Sequence, residues 1–523
     1  MTINLGTYGF GRIYPNDFGN NFFRAINLIT LNTSVITEES SSVNLIKPNI
    51  LLHCARITGL LTVIFTFLYA LLLALKDVRE NLIRFFWKIR KKQVVIVIGL
   101  NEKSYYLIKS ISLQKIRIVV LTERENSIYE NELKQMPRLI IVRGSLSSAT
   151  ILRSINAMDA EKIFLMSDKE TKNVRATQEL GILNEQSSAH NIPTIFVHIQ
   201  NDEYAKFLRM SMNRIKSGIF IFNIYESIVR RLFLHFPPDR FYQTETAGNI
   251  NVIIIGYDEM GREILLTLLK QGHYQQENQL NINIYCENAI SCRDSFNQLY
   301  PLFTLNEKDF ETLKEIKAVT WKNIRVVFME LPRSDFEWLK DNQPLFKDLK
   351  NSNIVNVYAT LSDGIRSASY LNTILPKLNI QKKENKCDVQ VFCYYNFPDS
   401  KEEQRIEEYF NELAPDIFVK CFGNFMRECS YTAIQSMALD VTAKLVNGFY
   451  LNSDKFREMI AENKPVKTWP FLNETFLENE WKIISSKDKI SSQQAGDHLW
   501  VKLRIIHISV SYTHLTLPTS DLV

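Results

Sequence analysis

Val94-Val-Ile-Val-Ile-Gly99-Leu-Asn-Glu-Lys-Ser104 and Asn251-Val-Ile-Ile-Ile-Gly256-Tyr-Asp-Glu-Met-Gly261 decide how this chain folds. Each opens on a run of β-branched residues, which suits a strand buried on both faces of a parallel sheet. Each then turns at a glycine and starts a helix whose first N–H groups can face a phosphate. Two such strand–turn–helix units predict an α/β protein with two parallel-sheet domains of nucleotide-binding type.

Further strands come after each unit at helix-length intervals, the pattern of a parallel sheet with helices on its faces. After the first they are expected at 116–122, 139–142, 162–166 and 193–199; after the second, at 281–285, 324–329, 354–359 and 389–394. A polar insert, 275–280, lengthens the turn before the strand at 281. The first domain is therefore placed at 93–240 and the second at 248–400, with a helical connector after them at 401–435.

A chain of 523 residues leaves room for about three domains. With 46% hydrophobic and 23% charged residues, most of it should fold. A net charge of +5 leaves no nucleic-acid footprint, so no such partner is expected. The seven cysteines form no C-x-x-C pair and have no histidines at zinc spacing, so no metal site is assigned. Scattered thiols of this kind suit a cytosolic main body.

Residues 57–75 read ITGLLTVIFTFLYALLLAL, with no charge. As a helix this run spans ~28 Å, close to the hydrocarbon thickness of a bilayer. A transmembrane helix and basic stalk are placed at 51–92. Lys76, Arg79, Arg84, Lys88, Arg90, Lys91 and Lys92 come directly after the apolar run, so the positive-inside rule puts the C-terminal bulk in the cytoplasm of a cell-membrane protein. Residues 1–50 are then extracytoplasmic or membrane-associated. Thr7-Tyr-Gly-Phe-Gly11 resembles the T-x-G-Y-G filter of potassium channels. Asn20, Asn21 and Arg24 interrupt the stretch after it, however, and the expected reading is the tail of an earlier membrane helix, then an amphipathic helix at 22–31.

At a dinucleotide turn, three glycines allow close backbone approach and an acid after the second strand meets the ribose. In the first unit Gly99 keeps the first glycine position, whereas Asn101 and Ser104 hold the second and third; Glu123 is the candidate ribose acid. In the second, Gly256 and Gly261 hold the first and third, Asp258 stands in the middle, and Glu287 is the ribose candidate. The strands at 139–142 and 162–166 lead into Arg143-Gly144-Ser145 and Ser167-Asp-Lys-Glu-Thr-Lys-Asn173.

This order resembles the RCK (regulator of potassium conductance, or TrkA-N) family, whose motifs are G-x-G-x-x-G, an acid after the second strand, G-D after the third and T-x-D-x-x-N after the fourth. Gly99, Glu123, Gly144 and Asn173 match, and Asp168 falls near the acidic position of the last motif. The second unit resembles a more divergent RCK domain. The resemblance implies two Rossmann-like domains, NAD(H) or another nucleotide as ligand, and pairing into a homo-oligomer. It implies no catalysis, and no G-x-S-x-G, H-E-x-x-H or Walker lysine is present.

Residues 436–508 resemble the small α-helical RyR domain, matching its S-N-R-x-x-A-D-x-x-x-x-K-L pattern at Ser491, Ala495, Asp497, Lys502 and Leu503. Ser492 and Gln493 replace its Asn-Arg, and Gly496 is extra. Residues 509–523 are expected to be an adapter-derived artefact. The functional expectation is a membrane-tethered, ligand-sensing regulator of potassium transport, with channel-pore or transporter subunits and the lipid bilayer as partners. The alternatives are a membrane-anchored NAD(P)-dependent enzyme and a degenerate scaffold that binds no ligand.

Overall fold

The computed structural model describes residues 17–29, 50–74, 93–123, 128–186, 193–212, 218–240, 249–272, 280–300, 324–340, 354–362, 364–385, 387–396, 400–436, 440–462 and 473–505, with a few single positions besides. The filter-like motif (apart from Thr7 and Tyr8), the basic stalk, most of the polar insert and the 509–523 tail lie outside the described residues. The chain divides into two units, 1–92 and 93–523.

In the first unit, helix Phe18–Ile29 packs against helix Ile50–Ala74. The shorter helix buries Asn21 and Ala25. The longer one leaves Phe65, Phe67 and Tyr69 about two-thirds exposed. Among the described residues no helix is long and apolar enough to cross a membrane. The expected span falls on Ile50–Ala74, whose terminal side chains are not described.

The second unit holds two six-stranded parallel sheets. The first is built from β1 (Val94–Ile98), β2 (Arg117–Thr122), β3 (Leu139–Arg143), β4 (Lys162–Leu165), β5 (Thr194–His198) and β6 (Ile219–Phe222), in the order β3-β2-β1-β4-β5-β6. The second uses β7 (Ile250–Ile255), β8 (Leu280–Cys286), β9 (Ile324–Glu330), β10 (Ile354–Ala359), β11 (Asp388–Tyr394) and β12 (Phe418–Phe422), in the order β12-β11-β10-β7-β8-β9. Counted from its own first strand, each sheet has the 3-2-1-4-5-6 order of a dinucleotide-binding fold.

The β-branched runs sit where they were expected. Val95 to Ile98 and Val252 to Ile255 are fully buried, because β1 lies between β2 and β4, and β7 between β8 and β10. Two corrections concern the outer strands. The segment expected as a helical connector, 401–435, carries β12, which pairs Val391 with Val419, so the second sheet runs past residue 400. β6 was not foreseen; it is four residues long and only partly buried. An edge strand lacks the long apolar run that marks an interior one.

Helix Ile224–His235 leaves the first sheet and joins the two halves. It packs against Glu259–Gln271, the first helix of the second half. Its Phe233 ring lies 5.9 Å from that of Tyr358 on β10. Asn356 of the same strand donates its amide to the Pro238 carbonyl at 2.9 Å. Among the described residues, the C-terminal part of the unit carries helices Val441–Leu451, Ser453–Ala461, Glu474–Ile483 and Ser486–Ile505. Gly496 lets the last of these touch the first, since a Cβ there would stand 2.9 Å from the Ala443 nitrogen.

Candidate functional site

In an open parallel sheet of this order, ligands bind outside the carboxyl ends of the strands, where the winding direction reverses. That point lies between β1 and β4 in the first sheet and between β7 and β10 in the second. Both open onto one cleft of about 200 Å³, bordered by Asn101 and Asp168 from the first and by Asp258, Thr360 and Ser362 from the second.

At the first turn, Gly99 has φ +98°, and a Cβ there would lie 2.6 Å from the Ser167 amide nitrogen. Only glycine lets β1 pass β4 this closely. The space a phosphate would take is used by the chain itself. Asn101 caps helix Glu102–Leu113 by accepting from the Ser104 N–H at 2.9 Å, and the buried Ser104 hydroxyl accepts from the Asn101 N–H at 2.8 Å. The Asn101 amide also donates to the Met166 carbonyl at 2.5 Å and to Asp168 at 2.8 Å. A capping box satisfies the orphan donors that would otherwise hold an anion.

The other first-unit candidates are committed in the same way. Glu123 pairs with Lys172 and accepts from the Leu146 N–H at 3.1 Å; the Lys172 bond holds its carboxyl below the ordinary range. Asn173 is buried behind the cleft, bonded to both backbone groups of Ser167 and to the His198 carbonyl at 3.0 Å, so it ties the end of β4 to β5. Gly144 makes room for the Ile151 side chain. His198 is buried against Phe222, and burial lowers its pKa to about 3. This turn does not fit a dinucleotide.

The second turn keeps more of the cradle. Gly256 has φ +106° and passes 2.8 Å from the Leu361 nitrogen, measured from the Cβ it lacks. A side chain at Gly261 would overlap the Gly256 carbonyl, so strand and helix stay in contact there. Asp258 precedes helix Glu259–Gln271 without capping it; its carboxylate accepts from the Ser362 N–H at 2.7 Å. The first N–H groups of that helix therefore lack a side-chain cap and stand at the cleft. Glu287 lies outside the cleft lining, exposed and paired with Arg366 at 2.9 Å. The backbone suits an anion, and the Asp258 carboxylate opposes one.

Sequence reasoning placed Asn101 and Asp168 in one candidate site and Asp258 in another. It also missed Glu102, Tyr225, Tyr394 and Asn396, which the docking of the two halves brings to the cleft. Glu102 bonds to Asn396 across the joint, and burial raises its pKa. Lys103 places its ammonium 4.8 Å from the centre of the Tyr225 ring. Of these, only Glu102 and Lys103 were accessible from the sequence, as neighbours of the turn. Among the described residues no three His, Cys, Asp or Glu side chains are grouped to hold a metal.

Residues 95–216 match the TrkA-N domain. The match runs from β1 through β5, and the second sheet repeats the strand order of the first. Three solved structures are similar at low identity. The GsuK channel bound to NAD is 8% identical, over 82% of this chain and 80% of that one, with a TM-score of 0.37. GsuK bound to ADP is 10% identical, over 82% and 93%, with a TM-score of 0.38. The GsuK RCK domain is 8% identical, over 67% and 78%, with a TM-score of 0.39. No curated protein matches the chain.

Proposed function

We propose that this chain is a membrane-tethered, ligand-sensing regulator of potassium transport. The observation that carries the reading is the shared cleft: two parallel-sheet halves, the first matching the TrkA-N domain, turn their switch points toward each other. A ligand gripped by both lips binds one separation of the halves better than another and so shifts their spacing. Helix Ile224–His235, joined to both, is positioned to carry that shift. The exposed aromatic and aliphatic face of Ile50–Ala74, with the basic stalk after it, supports attachment to a bilayer with the bulk on the cytoplasmic side. Pairing of copies through the sheet domains is part of the same reading, as is an RyR-like role for 436–508 in interaction.

The ligand at the second turn is a nucleotide such as NAD(H), held by the uncapped N-terminus of Glu259–Gln271. Asp258 is the residue that weakens it. Calorimetry of the full chain in detergent with NADH tests this: Asp258→Gly, which removes the opposing carboxylate, should tighten binding at least tenfold, with the cofactor recovered unchanged. Consumption of NADH, or no binding by either form, would contradict the reading.

A further inference from the structure

A larger space lies away from the switch-point cleft. A pocket of about 710 Å³ lies where edge strand β6, helix Glu259–Gln271 and the C-terminal helix Ser486–Ile505 meet. That volume is within the range of pockets that bury a small organic ligand. The walls come from three parts of the fold: Arg209 and Phe220 from the first half, Glu263 and Lys270 from the second, and Lys489 and Gln493 from the C-terminal helices.

The charges around it are not all spent. Asp497 and Asp440 are taken by Arg230, at 2.8 and 3.0 Å, and Glu428 by Arg231 at 3.1 Å. Glu226 faces Lys270 at 3.6 Å. Among the described residues Arg209 and Lys489 have no ion pair of their own, although both border the cavity. Burial lowers the pKa of each, offset only in part by Asp202 and Glu226 for Arg209 and by Asp440 for Lys489. Lys489 stands 4.9 Å from the centre of the Phe220 ring, which stacks on Phe196 at 5.4 Å, and 5.9 Å from that of Trp481. Phe222 extends that aromatic wall along β6. Asp202, on the same rim, has a carboxylate bonded among the described side chains to the Tyr300 hydroxyl at 3.4 Å, with acceptor capacity left.

We propose that this cavity binds a mononucleotide, its base against Phe222, its phosphates on Arg209 and Lys489, and a ribose hydroxyl donating to Asp202. An aromatic platform, unpaired cations and a carboxylate are the three kinds of group such a ligand engages. The site depends neither on the glycine turns nor on the potassium reading. Because its walls belong to both halves and to the C-terminal helices, occupation would fasten the helical module to the sheets.

The test is calorimetry of the full chain in detergent with ADP, and with adenosine and inorganic phosphate separately. ADP should bind at least tenfold more tightly than either fragment. Arg209→Ala and Lys489→Ala should each weaken ADP tenfold or more. On the unaltered chain, ADP should also shield Lys489 from acetylation mapped by mass spectrometry, a readout free of folding effects. No ADP binding, undiminished binding in both variants, or full acetylation of Lys489 under saturating ADP would overturn the proposal. A chain that binds ADP here without any effect on potassium flux would sink the regulatory role and leave this site standing.

Discussion

Glu263 shows how one carboxyl records the docking of the two halves. It lies on helix Glu259–Gln271 at 4% exposure and accepts the Asn223 amide at 2.9 Å from the start of the joining helix. Burial, reinforced by Glu226 and Asp202 and only partly offset by Lys270 and Arg262, pushes its pKa up to about 7. A carboxyl with a raised pKa binds its proton more tightly in the folded state. Its contribution to stability is therefore present below pH 4.5, the ordinary value, and is lost as the pH rises toward 7. Glu263→Gln keeps an acceptor for Asn223 and removes the titration. From pH 4.5 to 7.5 the parent should lose roughly 3 kcal/mol relative to the variant, at about 1.4 kcal/mol per pH unit. Melting curves of both proteins across that range check this, and parallel pH profiles would contradict it.

Among the elements, helix Ile224–His235 is where the parts of the second unit meet. Its Arg230 forks onto Asp497 at 2.8 and 3.0 Å and reaches Asp440 at 3.0 Å, while Gln493 donates to both oxygens of Asp440. Burial works against the guanidinium charge, but Asp497 and Asp440 outweigh it and its pKa is raised. Removing one partner of a buried pair leaves the others uncompensated, at about 3–5 kcal/mol. Arg230→Ala should thus release the C-terminal helices, seen as faster amide hydrogen exchange in Val441–Leu451 and Ser486–Ile505 with the sheet halves intact; unchanged exchange there would contradict the latch. The interior strands around this helix were legible because each is buried on both faces and reads as a continuous apolar run, as Val95–Ile98 does. β6 and β12 were not. One is a short, half-buried edge, and the other, Phe-Val-Lys-Cys-Phe, mixes a lysine into its run after an acidic helix. The glycine turns were legible as local geometry at Gly99 and Gly256. The shared cleft was not, because it depends on partners far apart in sequence, such as Asn396 on Glu102.

For the whole molecule, the two turns have diverged in opposite ways. The first spends Asn101, Ser104 and Glu123 on bonds within its own half, and the second leaves a helix N-terminus uncapped beside Asp258. In the proposed function the first half serves as a rigid jaw and the second as the lip that recognises a ligand, with the apolar helix Ile50–Ala74 as the proposed tether. The most direct measurement is potassium flux across membrane vesicles from cells that make the chain natively, set against vesicles from a deletion strain, with and without NADH and ADP. Flux should differ between the two, and should respond to nucleotide only where the chain is present. Equal flux in both at every nucleotide concentration would contradict a role in potassium transport.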